Sequence, residues 1–251
     1  RIAFGEGKIA ALDTLVPADA KVLILFGGDS ARRTGTLSEV EAALGNRQVQ
    51  LFGGIEPNPS FETLMEAVTV VQRDGIDYLL AVGGGSVIDG TKFVAAASIF
   101  DGDAWDILLK GGTNIHRALP FGSVLTLPAT SSEMNKGAVV TRKSLQAKLP
   151  FHSDHVFPQF SVLDPTKIST LPTRQVANGV VDAFVHIVEQ YLTYPASAPV
   201  QDRFAEGLLQ TLIDIGPQAL SDPENYSVRA DLMWVATLAL NGLIGAGVPQ
   251  D

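Results

Sequence analysis

From Lys21 to Leu163 the chain alternates short, wholly apolar runs with stretches whose apolar residues recur at helical spacing. Val22-Leu23-Ile24-Leu25-Phe26 reads as a buried strand ended by Gly27-Gly28, and Tyr78-Leu79-Leu80-Ala81-Val82 as another. Val49–Phe52, Gly122–Leu127 and Phe160–Leu163 have the same texture. Between them, Leu37, Val40 and Leu44 mark one face of a helix over Thr36–Leu44. Leu64, Ala67, Val68 and Val71 mark a second helix, capped by Ser60 and running through Arg73. A third is expected over Ile88–Ile99. Strands apolar on both faces and separated by helices predict a parallel sheet covered on both sides.

After Pro165 the texture changes. Thr173–Leu192, Ala198–Leu220 and Val228–Leu243 are long, helix-periodic and strand-free, with Pro195, Pro199 and Pro223 punctuating them. The pattern predicts an α/β domain over residues 1–167 and an all-α domain over 168–251. With no initiating Met, and an end at Gly247-Val248-Pro249-Gln250-Asp251 directly after a helical run, the chain reads as part of a longer protein. The helical domain is therefore expected to be incomplete.

Composition narrows the function classes. At 251 residues, 46% of them hydrophobic and 18% charged, the chain has the material for a substantial core. No apolar run approaches the ~20 residues of a membrane span, and the N-terminal residues do not read as a signal peptide. No membrane partner is expected. The net charge of −9 argues against nucleic acid, whose phosphates select basic surfaces. Without cysteine, any metal would be held by oxygen and nitrogen donors, and a cytoplasmic location is expected.

Two places carry candidate chemistry. In Gly83-Gly84-Gly85-Ser86-Val87-Ile88-Asp89, glycines follow a strand and precede a helix, where backbone N–H groups and the helix dipole suit a phosphate. A tight strand-to-helix turn explains the same residues. Gly27-Gly28-Asp29-Ser30-Ala31-Arg32-Arg33 follows an earlier strand, where a dinucleotide site meets the adenosine ribose. Asp29 favours a free 2′-hydroxyl, whereas Ser30 and the arginines favour a 2′-phosphate. After Thr126, the segment Ala129-Thr130-Ser131-Ser132-Glu133-Met134-Asn135 offers hydroxyls and an amide for either capping or cofactor contacts.

The second place is Asp182 and His186, one helical turn apart. They are half of a divalent metal site or, as the pair alone favours because a metal needs three or four ligands, a carboxylate–imidazole hydrogen bond inside a helix bundle. His152 and His155 fall in a Pro-flanked loop, on the surface or beside a nicotinamide.

Taken together, these segments resemble the iron-containing (group III) alcohol dehydrogenase family, in particular its bacterial NADPH-dependent aldehyde reductase and butanol dehydrogenase branch. The resemblance covers the whole chain. It is carried by Phe52–Pro59, Ala81–Lys92, Leu127–Glu133, Gln175–Gln190 and Ala239-Leu240-Asn241-Gly242. It implies a dehydroquinate-synthase-like, dinucleotide-binding α/β domain, an all-helical metal domain, and catalysis in the cleft between them. Gly83, Gly84, Gly85 and Ser86 would hold the pyrophosphate, with Asp89 just inside the helix. Thr126, Thr130 and Asn135 would contact the cofactor and Lys148 would lie near the nicotinamide ribose. Gly27, Gly28 and Ser30 would receive the 2′-phosphate of NADP, with NAD the lesser expectation. The family metal, Fe2+ or Zn2+, is bound by one Asp and three His. Asp182 and His186 match two of these, and the other two lie beyond Asp251 in the family pattern.

The expected reaction is hydride transfer between NADP(H) and a small aldehyde or primary alcohol in a cytoplasmic homodimer, with Asp182, His186 and Lys148 at the reacting centre. Two alternatives remain: an inert nucleotide-binding module, and a dehydroquinate-synthase-like NAD/Zn lyase. The lyase would need many basic residues in the helical region, which has only Arg174, Arg203 and Arg229.

Overall fold

The computed structural model describes residues 1–193 and 197–246. Pro195, expected to separate two helices, lies outside the described residues. The chain begins with β1 (Ile2–Phe4), α1 (Leu12–Leu15), β2 (Lys21–Phe26), α2 (Ser30–Arg33), α3 (Thr36–Leu44) and β3 (Gln48–Phe52). It continues through α4 (Phe61–Asp74), β4 (Tyr78–Gly84), α5 (Gly85–Ala97), α6 (Trp105–Leu109) and β5 (Phe121–Leu127). A hairpin of β6 (Gly137–Arg142) and β7 (Ala147–His152) precedes β8 (Phe160–Leu163), and α7 (Thr173–Tyr191), α8 (Pro199–Ser221) and α9 (Tyr226–Ala239) follow.

The main sheet has the order β1-β8-β5-β4-β2-β3, and every pairing in it is parallel. Successive side chains on a strand point to opposite faces. Leu23, Leu25, Leu79 and Ala81 accordingly pack with Leu64, Val68 and Ile88 of α4 and α5. Val22, Ile24, Leu80 and Val82 pack with Leu37, Val40 and Leu44 of α3 on the other face. Each large side chain so buried contributes about 1.5–3 kcal/mol. Ser60 caps α4 as the sequence predicts, its Oγ accepting from the Thr63 N–H at 3.3 Å. The expected parallel sheet and helical layer are both present. The helices α7, α8 and α9 share a separate core that includes Ala183, Ile187, Leu212, Ile215 and Leu232. Among the described residues, no helix is long and apolar enough to cross a membrane.

Three local features differ from expectation. The glycine run is no loop, because β4 continues through Gly84 and α5 starts at Gly85, not at Ile88. Strand and helix abut because the glycines lack side chains: a Cβ at Gly83 would stand 2.5 Å from Val87 Cγ2. Residues 137–152 form the β6–β7 hairpin, so His152 closes a strand and His155 sits in a short 3-10 turn. Its turn uses Gln146 in the left-handed region (φ 50), without the glycine that signals a hairpin in sequence. Finally, β1 pairs with β8 at the sheet edge, too short at three residues to show an alternation.

Candidate active site

The chain passes from β2 to β3 on one side, then returns to place β4 on the other side of β2. Open α/β sheets bind ligands at such a reversal, beyond the C-terminal ends of the strands. A cavity of about 830 Å³ lies there. Gly27 and Gly28 border it after β2, Gly83 to Ser86 at the β4–α5 junction, and Thr126 and Thr130 beyond the middle of the sheet. Helix α7 closes the far side with Gln175, Asn178 and Asp182.

The junction suits a pyrophosphate. Helix α5 has Gly84 at its N-cap and no side-chain cap, leaving its first-turn N–H groups available to an anion. A Cβ at Gly84 would stand 3.0 Å from Leu127 Cβ, and one at Gly85 would collide with the Thr130 hydroxyl. After β2, Ser30, Arg33 and Thr34 border the cavity, whereas Asp29 is not among its lining residues. The Arg32 guanidinium is stacked 4.8 Å from the Phe26 ring centre. Of the residues in conflict, Ser30 and Arg33 thus border the cavity.

Asp182 and His186 come together as the helical spacing predicts, with Oδ2 and Nε2 3.6 Å apart. Asp182 borders the large cavity, while His186 borders a second one of about 390 Å³. Thr130 lies on both. The Asp182 carboxylate raises the pKa of His186 above its ordinary value, against the effect of burial. Glu189 Oε2 lies 3.6 Å from His186 Nδ1, the opposite ring nitrogen. Two facing donors suit one end of a divalent cation, but among the described residues no group of three or more His, Cys, Asp or Glu could hold one.

Asp89 and Asn135 occupy different surroundings from the glycine cradle. Both border the second cavity, and both are bound within a buried network around Lys92, which is fully buried. Lys92 Nζ donates to Asn135 Oδ1 at 2.8 Å, the Gly137 carbonyl at 2.7 Å and Ser132 Oγ at 3.2 Å. The Ser132 hydroxyl donates to Asp89 Oδ1, and Val139 N–H to Asp89 Oδ2 at 2.9 Å. The Asn135 amide donates to the carbonyls of Thr130 and Leu240, each at 3.3 Å. Its hydrogen-bonding capacity is therefore taken up by protein. Burial pushes the Lys92 ammonium down to about 8, opposed by Asp89 and Glu133, and pushes the Asp89 carboxyl up. Lys148 stands on the hairpin and donates to Asn58 Oδ1 at 2.8 Å, while Asn58 N–H donates to Ser86 Oγ at 3.3 Å.

Sequence reasoning missed Lys92 and Gly179. Lysine is rarely fully buried, so only the structure reveals Lys92's role. Gly179 lets α7 approach the loop after β5, since a Cβ there would lie 2.6 Å from the Pro128 carbonyl oxygen. A glycine inside the helical run of residues 173–191 was the available signal.

The sequence profile of iron-containing alcohol dehydrogenases matches residues 1–165, and that of the family's C-terminal region matches residues 176–248. The chain belongs to the iron-containing alcohol dehydrogenase family. It is 61% identical across its whole length to the NADPH-dependent aldehyde reductase YqhD of Escherichia coli K12, covering 65% of that protein. Identity to the probable NADH-dependent butanol dehydrogenase 1 of Bacillus subtilis is 42%, again over all of this chain and 65% of the relative. The crystal structure of E. coli K-12 YqhD superposes with a TM-score of 0.99 over 100% of this chain and 65% of that one. NADH-dependent butanol dehydrogenase A of Thermotoga maritima superposes with a TM-score of 0.94 at 36% identity, over 100% of this chain and 63% of that one. This iron-containing alcohol dehydrogenase chain thus spans just under two thirds of these relatives.

Proposed function

We propose that the chain provides the nucleotide site and part of the metal site of an NADPH-dependent aldehyde reductase. The observation that carries this reading is the meeting of both features in one cleft: Asp182 borders the same cavity as the glycine cradle, one turn before His186. The α5 N-terminus binds the pyrophosphate and Ser30 with Arg33 binds the 2′-phosphate of NADP. The relatives split between NADPH and NADH in their descriptions. Ser30 and Arg33 on the cavity, with Asp29 off it, favour NADPH here.

Asp182 and His186 are the donors this chain would give a divalent ion, Fe2+ or Zn2+. When bound, that ion supplies a Lewis acid for the oxygen of a small aldehyde or its primary alcohol. Thr126, Thr130 and the α7 wall orient the nicotinamide side of the cofactor and exclude water. Lys148, whose Nζ donates to Asn58 Oδ1, is the residue this reading assigns to the cofactor ribose. The reading carries with it a cytoplasmic homodimer, in keeping with a chain without cysteine; light scattering and fractionation test that part.

The inert-module alternative has one observation in its favour, the lack of a third metal donor among the described residues. Calorimetric titration with NADPH and NADH, with metal analysis of the same purified protein, separates the two. NADPH binding together with about stoichiometric metal supports the reductase, and NADPH binding without metal supports the module. A lyase handling phosphorylated, carboxylated substrates is disfavoured. Arg203 pairs with Glu206, Arg229 donates to the Pro223 carbonyl at 3.1 Å, and neither borders the cleft.

A further inference from the structure

The second cavity has a polar group that the proposed reaction leaves unused. Asp89, Ser132 and Asn135 on its wall are bound into the network around Lys92, Lys136 pairs with Asp154 at 2.8 Å, and His186 faces Asp182. The His152 ring, exposed to the cavity, has no protein hydrogen bond among the described residues. Pro150, Phe157 and Leu240 supply apolar wall around it.

The position of His152 is fixed by the fold. It closes β7 directly opposite Gly137 in the hairpin register. A Cβ at Gly137 would stand 3.0 Å from both Cδ2 and Nε2 of the ring, so the imidazole lies against bare backbone. On the other side, His152 N–H donates to the Gly111 carbonyl at 3.1 Å, and a Cβ at Gly112 would collide with the His152 carbonyl oxygen. Two glycines therefore make room for this residue, one for its ring and one for its backbone. Partial burial, together with the charges of Lys136 and Lys92, holds its pKa below the ordinary 6.5, with Asp89 opposing. Near neutral pH the ring thus offers one N–H donor and one acceptor nitrogen.

We propose that His152 is a specificity-determining residue that hydrogen-bonds a polar substituent of the aldehyde, so that the second cavity favours short hydroxyaldehydes over their alkyl isosteres. The inference rests on the aldehyde-reductase reading above, because it places the aldehyde in the cavity bordered by His186.

The test compares glycolaldehyde with propanal, and 4-hydroxybutanal with pentanal, pairs that exchange a hydroxyl for a methyl. His152→Val is expected to lower the preference for the hydroxyaldehyde of at least one pair by roughly tenfold, the scale of one lost hydrogen bond. The change appears mainly in KM, with the alkyl aldehyde within about twofold of wild type. His152→Asn, which keeps a donor and an acceptor, retains most of the preference. Gly137→Ala, which crowds the ring, shifts it in the same direction as His152→Val. Saturation-transfer NMR with ethane-1,2-diol and propan-1-ol gives a binding readout independent of turnover, and the diol signal is expected to fall selectively in His152→Val. Unchanged preference for both pairs in a His152→Val protein that binds NADPH and reduces propanal overturns the proposal. A wild-type protein that binds NADPH but reduces none of the four aldehydes overturns the underlying reading, and this inference with it.

Discussion

Gly28 borders the large cavity, yet a Cβ built on it meets nothing within 4 Å. It is the glycine at which bulk enters the proposed cofactor space without disturbing the fold. Gly28→Val is expected to weaken NADPH binding by roughly tenfold or more, equivalent to at least about 1.4 kcal/mol, with the melting temperature unchanged. Fluorescence titration and a thermal scan on one preparation check both halves. Gly84 and Gly85 give a less clean test, because a side chain at either presses on Leu127 or Thr130 and costs stability too. In the proposed reading, cofactor choice rests on Arg33. Arg33→Glu places a negative charge at the proposed 2′-phosphate site, so affinity for NADPH should fall while affinity for NADH changes little. A proportional loss for both nucleotides would show that Arg33 does not read the 2′-phosphate. At this scale the sequence was most legible where chemistry is local. Glycines after an apolar strand and an i,i+4 carboxylate–imidazole pair are visible within a few residues. The binding of Asp89 and Asn135 into one network was hidden because their partners include Val139 and Leu240, 50 and 105 positions away in sequence.

Among the elements, α7 brings Gln175, Asn178, Gly179, Asp182 and His186 to the two cavities, and its placement depends on Gly179. Gly179→Leu would drive side-chain atoms into the Pro128 carbonyl and push the helix away from the loop carrying Thr130. The expected result is a lower melting temperature accompanied by loss of NADPH affinity, and full affinity in this variant would show that α7 does not shape the cofactor cavity. The hairpin is a second element with a measurable anchor. Lys143 Nζ donates to Glu56 Oε1 at 2.9 Å, joining the hairpin turn to the segment that leads into α4. Burial pushes the Glu56 carboxyl up, but hydrogen bonds from Lys143, backbone N–H, Thr63 and Ser60 outweigh it and bring the pKa from 4.5 to about 2. A carboxyl depressed on folding stabilises above its unfolded pKa and loses that contribution as pH falls towards the folded value. The stability difference between wild type and Glu56→Gln should therefore be constant above about pH 5 and shrink between about pH 4.5 and 2. Denaturant titrations across that range test it, and a difference independent of pH would contradict the assignment. Sequence patterning found the long helices and the buried strands because each carries a full period of apolar residues. It missed β6 and β7, where only Ala138, Val140 and Phe151 are buried and the turn lacks a glycine.

For the molecule as a whole, the decisive arrangement is two cavities meeting at one helix. The larger collects its walls from the C-terminal ends of β2, β4 and β5 and from α7, and the smaller from the hairpin, the loop after β5 and the end of α9. Thr130 belongs to both, and Asp182 and His186 face one each. That division predicts separable binding events, nucleotide in one space and metal with aldehyde at the boundary. Sequence alone could suggest both sites but could not show that they adjoin, because adjacency depends on the packing of α7 over the sheet. The most direct test is His186→Ala, with metal content, NADPH affinity and turnover of a short aldehyde measured on the same preparation. Loss of a donor from a chelating pair weakens metal binding severely. Metal and turnover are therefore predicted to disappear while NADPH affinity stays within about twofold of wild type. Normal metal stoichiometry and normal turnover in a folded His186→Ala protein would contradict the account.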